Sequence, residues 1–227
     1  LSWPQTKNVP KNCVQHITGM PVRKAFFVKR SKEPNSKKLV LTILGGSQGA
    51  SIFGTLIPNA IAMIEPSLRS KIKIYQQARP EQIEKIKKFY RLLEIEAAVR
   101  PFFKNMPALF HKSNLVICRS GASSIAELAA SGRASLMLPL PSALDDHQKE
   151  NAIQMEKAGG GYCLDEKTLS PAFLATRIIQ LFESPKKLSE MARNAKALSG
   201  PNAAKNIADV AEDLIKTPRI SRLGTVA

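Results

Sequence analysis

The chain has 227 residues, 44% of them apolar, enough to bury a full-sized core and to exclude an intrinsically disordered protein. Three cysteines, Cys13, Cys118 and Cys163, without CxxC spacing argue against a disulfide framework and a cysteine zinc site, and no stretch reaches the roughly 20 apolar residues of a membrane span. A formal charge of +16, from 34 basic and 18 acidic residues, points to an anionic partner: nucleic acid, an acidic lipid surface or a phosphorylated substrate.

The first 40 residues hold nine Lys or Arg and one acid, Glu33. With Trp3 and Phe26-Phe27-Val28 interleaved, this stretch reads either as a solvated linker or as a surface lying against an anionic membrane. Because Leu1-Ser2-Trp3-Pro4 offers neither an initiator Met nor a signal-peptide core, the chain is expected to be a fragment, a trimmed form or the remainder of a longer protein.

Leu39 to Leu44 is a continuously apolar strand that breaks into Gly45-Gly46-Ser47-Gln48-Gly49-Ala50, with helix-forming sequence through Ile64. Glycines let backbone approach a ligand, and the helix start presents N–H groups and partial positive charge, so the turn suits a phosphate. Ala50-Ser51 stand where a Walker loop needs Lys-Ser/Thr, which argues against an NTPase. Ser47 stands where a dinucleotide fingerprint needs glycine, and Glu65 precedes Pro66 instead of ending a second strand, which leaves NAD a minor option.

A strand at Lys71–Gln76 alternates, and Glu81–Leu93 has helical spacing. A short strand at Ala97–Phe102, a short helix at Met106–His111 and a buried strand at Leu115–Cys118 follow. Next come a helix at Ala122–Ala130, strands at Ser135–Leu138 and near Tyr162–Leu164, and between them a helix at Asp146–Lys157. Helices at Pro171–Phe182, Pro185–Leu198 and Asn202–Ile215 complete a domain of residues 37–216, with 217–227 as a tail. Strands alternating with helices predict an α/β fold: a doubly wound, Rossmann-like parallel sheet covered on both faces, with ligands outside the carboxyl ends of the strands.

Two further motifs fall at such ends. In Arg119-Ser120-Gly121-Ala122-Ser123-Ser124-Ile125-Ala126-Glu127 a second glycine turn opens a helix, and the Glu127 carboxylate suits two vicinal ribose hydroxyls. Pro139 to Ala152 leads a proline loop into Asp145-Asp146-His147-Gln148, a mixture of donors and acceptors that suits a hydroxyl-rich ligand. His16 and His111 have no ligand-like spacing to His147, which disfavours a metal site. Cys118 ends an apolar strand and reads as core, not as a nucleophile.

Together, and in this order, the three motifs resemble the carboxyl-terminal domain of the MurG family of bacterial peptidoglycan glycosyltransferases. The resemblance starts near Gly19-Met20-Pro21-Val22-Arg23, with Met20 where the family has Asn, and runs to about Ile215. It implies the carboxyl-terminal domain of a GT-B enzyme: an inverting, metal-independent hexosyltransferase with no cofactor. The implied partners are UDP-GlcNAc, the polyprenyl-diphosphate acceptor lipid I and an anionic membrane surface at the cytoplasmic face of the inner membrane, with no nucleic acid. It carries donor contacts to Arg23 and to the turn Gly46, Ser47, Gln48 and Gly49 for the diphosphate, and to Phe103 for uracil. The run Ser120, Gly121, Ala122, Ser123, Ser124, Ile125, Ala126 and Glu127 follows, with Glu127 on ribose, and then His147 and Gln148 toward the GlcNAc hydroxyls. The resemblance also makes residues 1–36 the end of a missing amino-terminal domain plus a linker, and it places the catalytic base on that domain, leaving this chain nearly inactive alone. The alternatives are another UDP-sugar enzyme of the same architecture, such as an epimerase, and a basic nucleic-acid-binding module.

Overall fold

A computed structural model describes residues 1–3, 6, 9–10, 12–27, 38–46, 49–141 and 146–216. Six strands form one parallel sheet: β1 (Leu39–Leu44), β2 (Ile72–Gln77), β3 (Glu96–Arg100), β4 (Leu115–Cys118), β5 (Ala134–Met137) and β6 (Gly161–Cys163). Their spatial order, β3-β2-β1-β4-β5-β6, reverses direction between β1 and β4, and ligands of doubly wound sheets sit at that switch. The register sets Leu44 opposite Cys118, so the two glycine turns leave the sheet side by side.

Nine α-helices cover the faces among the described residues: α1 (Phe53–Ala62), α2 (Pro66–Arg69), α3 (Pro80–Leu92), α4 (Met106–Lys112), α5 (Ala122–Ser131), α6 (His147–Lys157), α7 (Pro171–Phe182), α8 (Pro185–Ala197) and α9 (Ala203–Lys216). Strand residues divide by the two-residue period. Leu41, Ile43, Leu115 and Ile117 join α1, α3 and α7 in one core layer. Leu44, Val116 and Cys118 meet Phe110 of α4, Leu128 of α5 and Met155 of α6 on the other. Burial pushes the Cys118 thiol up to about 12, as suits a core residue.

One buried polar chain ties α3 to α1 through the sheet. The Tyr90 hydroxyl donates to Gln76 Oε1 at 2.5 Å, and Gln76 Nε2 donates to the Phe53 carbonyl at 2.9 Å. Both side chains are fully enclosed, so these bonds satisfy groups that would otherwise be costly to bury, and they fix where α1 starts.

Strand and helix positions follow the sequence reading, with local differences that have physical causes. β3 ends at Arg100 because Pro101 has no N–H for the ladder. α6 begins at His147 because Asp146 takes a left-handed conformation with φ 52°. α2 spans four residues, too few for periodicity to reveal, and a 3-10 turn at Lys24–Phe26 was likewise not foreseen.

That turn corrects the membrane reading for Phe26. Phe26 is fully buried and meets Phe110 edge to face at 5.5 Å, while Trp3 and Phe27 pack on the same cluster. Phe26 thus belongs to the core, while Trp3 and Phe27 stay partly exposed; Val28 lies outside the described residues. His111 Nε2 lies 3.0 Å from the Ala25 carbonyl, holding the turn to α4.

Candidate functional site

A cavity of about 640 Å3 opens at the carboxyl ends of the strands, bounded by the segments that follow β1, β2, β4, β5 and β6. Its first wall is the turn after β1. A Cβ on Gly45 would lie 2.4 Å from the Ala50 nitrogen, so the chain can fold back on itself there only without a side chain. Gly46 and Gly49 have φ of +79° and +67°, the left-handed region that glycine enters freely.

Side chains from β2 and α3 hold this turn from outside. Gln77 accepts the Gly45 N–H through Oε1 at 3.1 Å and donates through Nε2 to the Gly46 carbonyl at 3.1 Å and the Pro101 carbonyl at 3.2 Å. Arg79 donates through Nε to the Gly49 carbonyl at 3.3 Å, and Gln82 donates to the Ser51 carbonyl at 2.9 Å.

The second wall is the turn after β4 and the start of α5. Gly121 caps the helix without a side-chain bond, so the amides of Ala122, Ser123 and Ser124 have no carbonyl partner within the helix. Beneath them Arg119, 8% exposed, donates to the Leu138 carbonyl at 3.0 Å and the Pro139 carbonyl at 3.1 Å, and it is ion-paired with Glu166. Its guanidinium lies 5.2 Å from the Phe53 ring centroid. Asn151 Nδ2 donates to the Ser120 carbonyl at 3.1 Å, tying α6 to the turn.

A third wall comes from the segment between β5 and α6, where Gln148 accepts the Leu140 N–H at 3.1 Å. Polar groups at strand ends therefore face the open N–H groups of a helix start across one concavity. That arrangement can hold an anion next to a hydroxyl-rich group.

Of the expected site residues, Gly46, Gly49, Gly121, Ala122, Ser123, Ser124 and Gln148 line this cavity. Ser47 and Gln48 lie outside the described residues, as does Asp145. The side chains of Ile125 and Ala126 are buried, and the Ile125 N–H is bonded to the Gly121 carbonyl. Ser120 is also enclosed, with no partner for its hydroxyl among the described residues. Phe103 packs against Tyr75 at 6.2 Å between centroids, and His147 is exposed at the start of α6. None of these five side chains lines the cavity.

Glu127 and Arg23 form a separate pair of charges beside it. Burial raises the Glu127 carboxyl above the usual carboxylate range, and the Arg23 guanidinium opposes that shift. Arg23 itself lies over Phe26, 5.2 Å from the ring centroid, and does not line the cavity. A half-buried carboxylate with a raised affinity for protons is one that gains by accepting hydroxyl hydrogen bonds.

Sequence reasoning missed Gln77, Arg79 and Glu166 as parts of the site, and quoted Arg119 without giving it a role. Gln77 and Arg79 could have been found as polar residues at the end of a strand. Glu166 had no local signal, because its partner is 47 positions away.

Comparison with known proteins gives this site its context. Residues 40–211 match the family model described as glycosyltransferase family 28 C-terminal domain. The UDP-N-acetylglucosamine--N-acetylmuramyl-(pentapeptide) pyrophosphoryl-undecaprenol N-acetylglucosamine transferase of Rhodospirillum rubrum is 38% identical over 205 residues, covering 88% of this chain and 53% of the relative. The protein of the same name from Caulobacter vibrioides is 41% identical over 200 residues, covering 87% and 55%. The crystal structure of Acinetobacter baumannii MurG superposes with a TM-score of 0.72 at 28% identity, covering 81% of this chain and 54% of that one. The chain thus spans about half the length of the curated relatives it matches. Its sheet order and its matched residues lead to one conclusion: the chain belongs to the glycosyltransferase family 28 C-terminal domain family, with the doubly wound fold of the GT-B architecture.

Proposed function

We propose that this chain supplies the donor half of a site that transfers GlcNAc from UDP-GlcNAc to the muramyl sugar of an undecaprenyl-diphosphate lipid, converting lipid I to lipid II in peptidoglycan synthesis. The observation that carries the reading is the cavity between two glycine turns, in a chain whose relatives are named for that transfer. Open amides at the start of α5 and the backbone after β1 suit the diphosphate, Glu127 suits the ribose and Gln148 suits the sugar hydroxyls.

In the reaction an acceptor hydroxyl oxygen bonds to the anomeric carbon as the bond from that carbon to the diphosphate breaks, and UDP leaves with the electron pair. Helix-terminal amides and a cation aimed at the departing diphosphate stabilise the charge that develops there. The acceptor proton goes to a base assigned to the half that the relatives have and this chain does not span, so the 227 residues are expected to bind donor without turning it over. The cationic excess suits a peripheral enzyme on the anionic cytoplasmic face of the bacterial inner membrane; no described helix is long and apolar enough to cross one.

Calorimetric titration of the chain with UDP-GlcNAc, UDP-GalNAc and NAD tests the reading. It predicts selective UDP-GlcNAc binding that Glu127→Ala abolishes. Salt-sensitive binding of polynucleotide with indifference to UDP-GlcNAc would replace it with a nucleic-acid module.

A further inference from the structure

Two described cations line the cavity, and they are not equivalent. Arg119 is engaged by two backbone carbonyls and by Glu166, so its charge is neutralised within the fold. Arg79 is exposed and has no ion pair among the described residues. Its Nε bond to the Gly49 carbonyl, at 3.3 Å, fixes the plane of its guanidinium against the glycine turn. The stem lies equally close, since a Cβ on Gly49 would sit 3.1 Å from Arg79 Cγ. Both terminal nitrogens remain without a hydrogen bond among the described residues, leaving a fork of N–H donors at the wall where backbone can approach a phosphate.

We propose that Arg79 is the cation that grips the diphosphate of the nucleotide sugar, by a bidentate contact set up by its own bond to Gly49. The assignment rests on the donor-site reading above and deepens it. Arg23, which the family resemblance placed near the diphosphate, lies over Phe26 and interacts with Glu127, and it does not line the cavity. Arg79 is the residue before Pro80 at the start of α3, on an element braced to α1 through Tyr90 and Gln76, so the fork needs little further ordering to bind.

The test is calorimetric titration of the full chain and its Arg79→Ala and Arg79→Lys variants with UDP-GlcNAc and UDP at several salt concentrations, with thermal melting of each ligand-free protein. Arg79→Ala should weaken both ligands about tenfold, as expected for losing one charge-assisted contact. It should also flatten the dependence of affinity on salt and lower the melting temperature by no more than a few degrees, the loss of one exposed hydrogen bond, while Arg79→Lys restores part of the affinity. Wild-type affinity in Arg79→Ala, or a loss of affinity with unchanged salt dependence, would overturn the assignment and leave the donor site standing. If the wild-type chain binds neither UDP-GlcNAc nor UDP, the donor-site reading falls and takes Arg79 with it.

Discussion

The turns after β1 and β4 are both strand, glycine and helix, yet they are held in opposite ways. The β1 turn is braced from the rim by Gln77, Arg79 and Gln82, side chains that solvent reaches. The β4 turn is braced from beneath by Arg119, whose partners Leu138, Pro139 and Glu166 tie three strand ends together in a nearly enclosed site. The difference teaches that one sequence motif can carry two jobs. The first turn keeps its shape through side chains that solvent reaches, and the second through a nearly enclosed ion pair at the cavity wall.

The comparison breaks most visibly at Arg119. Arg119→Met leaves the Glu166 carboxylate, whose side chain is 18% exposed, without its ion pair. A loss of about 3–5 kcal/mol is expected in denaturant unfolding. Adding Glu166→Gln should recover part of it.

The glycines provide the next largest contrast. Gly45→Ala forces a methyl to within 2.4 Å of backbone, and about 1–3 kcal/mol of stability should be lost along with donor affinity. Around Gly121 a Cβ would meet nothing within 4 Å, and its φ of −59° suits alanine. Gly121→Ala should therefore cost no more than about 1 kcal/mol in thermal melts while weakening UDP-GlcNAc binding in titration, because the methyl enters the space reserved for ligand.

Gln77→Ala removes the acceptor for the Gly45 N–H at the rim, and about 1 kcal/mol is expected from chemical unfolding. The smallest effect sits beside the cavity, at Glu127. Burial holds its folded carboxyl above the unfolded value, so the folded state takes up a proton more readily than the unfolded chain does. Its stabilising contribution is present at low pH and lost as pH rises through the folded value. Glu127→Gln should melt above wild type at neutral pH, with the gap closing as pH falls through the carboxylate range.

The sheet was legible because its central strands are short, apolar and followed by a turn signal; β1 and β4 lie where the hydrophobic runs lie. The site was legible where glycine turns end strands, at Gly46, Gly49 and Gly121, and at Gln148 opening α6. Once a contiguous motif enters a helix it does not state which of its side chains face the cavity, because the 3.6-residue period turns Ile125 and Ala126 into the core while Ser123 and Ser124 line the cavity. The pairing of Arg119 with Glu166 depends on β4, β5 and β6 being neighbours, and no local pattern states strand order. Arg79 was hidden by a similar dependence, since it matters only because β2 lies next to β1.

The most direct test of a donor site between the two turns is backbone amide NMR of the chain during titration with UDP-GlcNAc. The account predicts that the amides of Gly45, Gly49, Gly121, Ala122 and Ser123 move together, on one binding curve, while those of β3 at the sheet edge stay in place. Shifts concentrated on β3 or α9 with the glycine turns unmoved would contradict it.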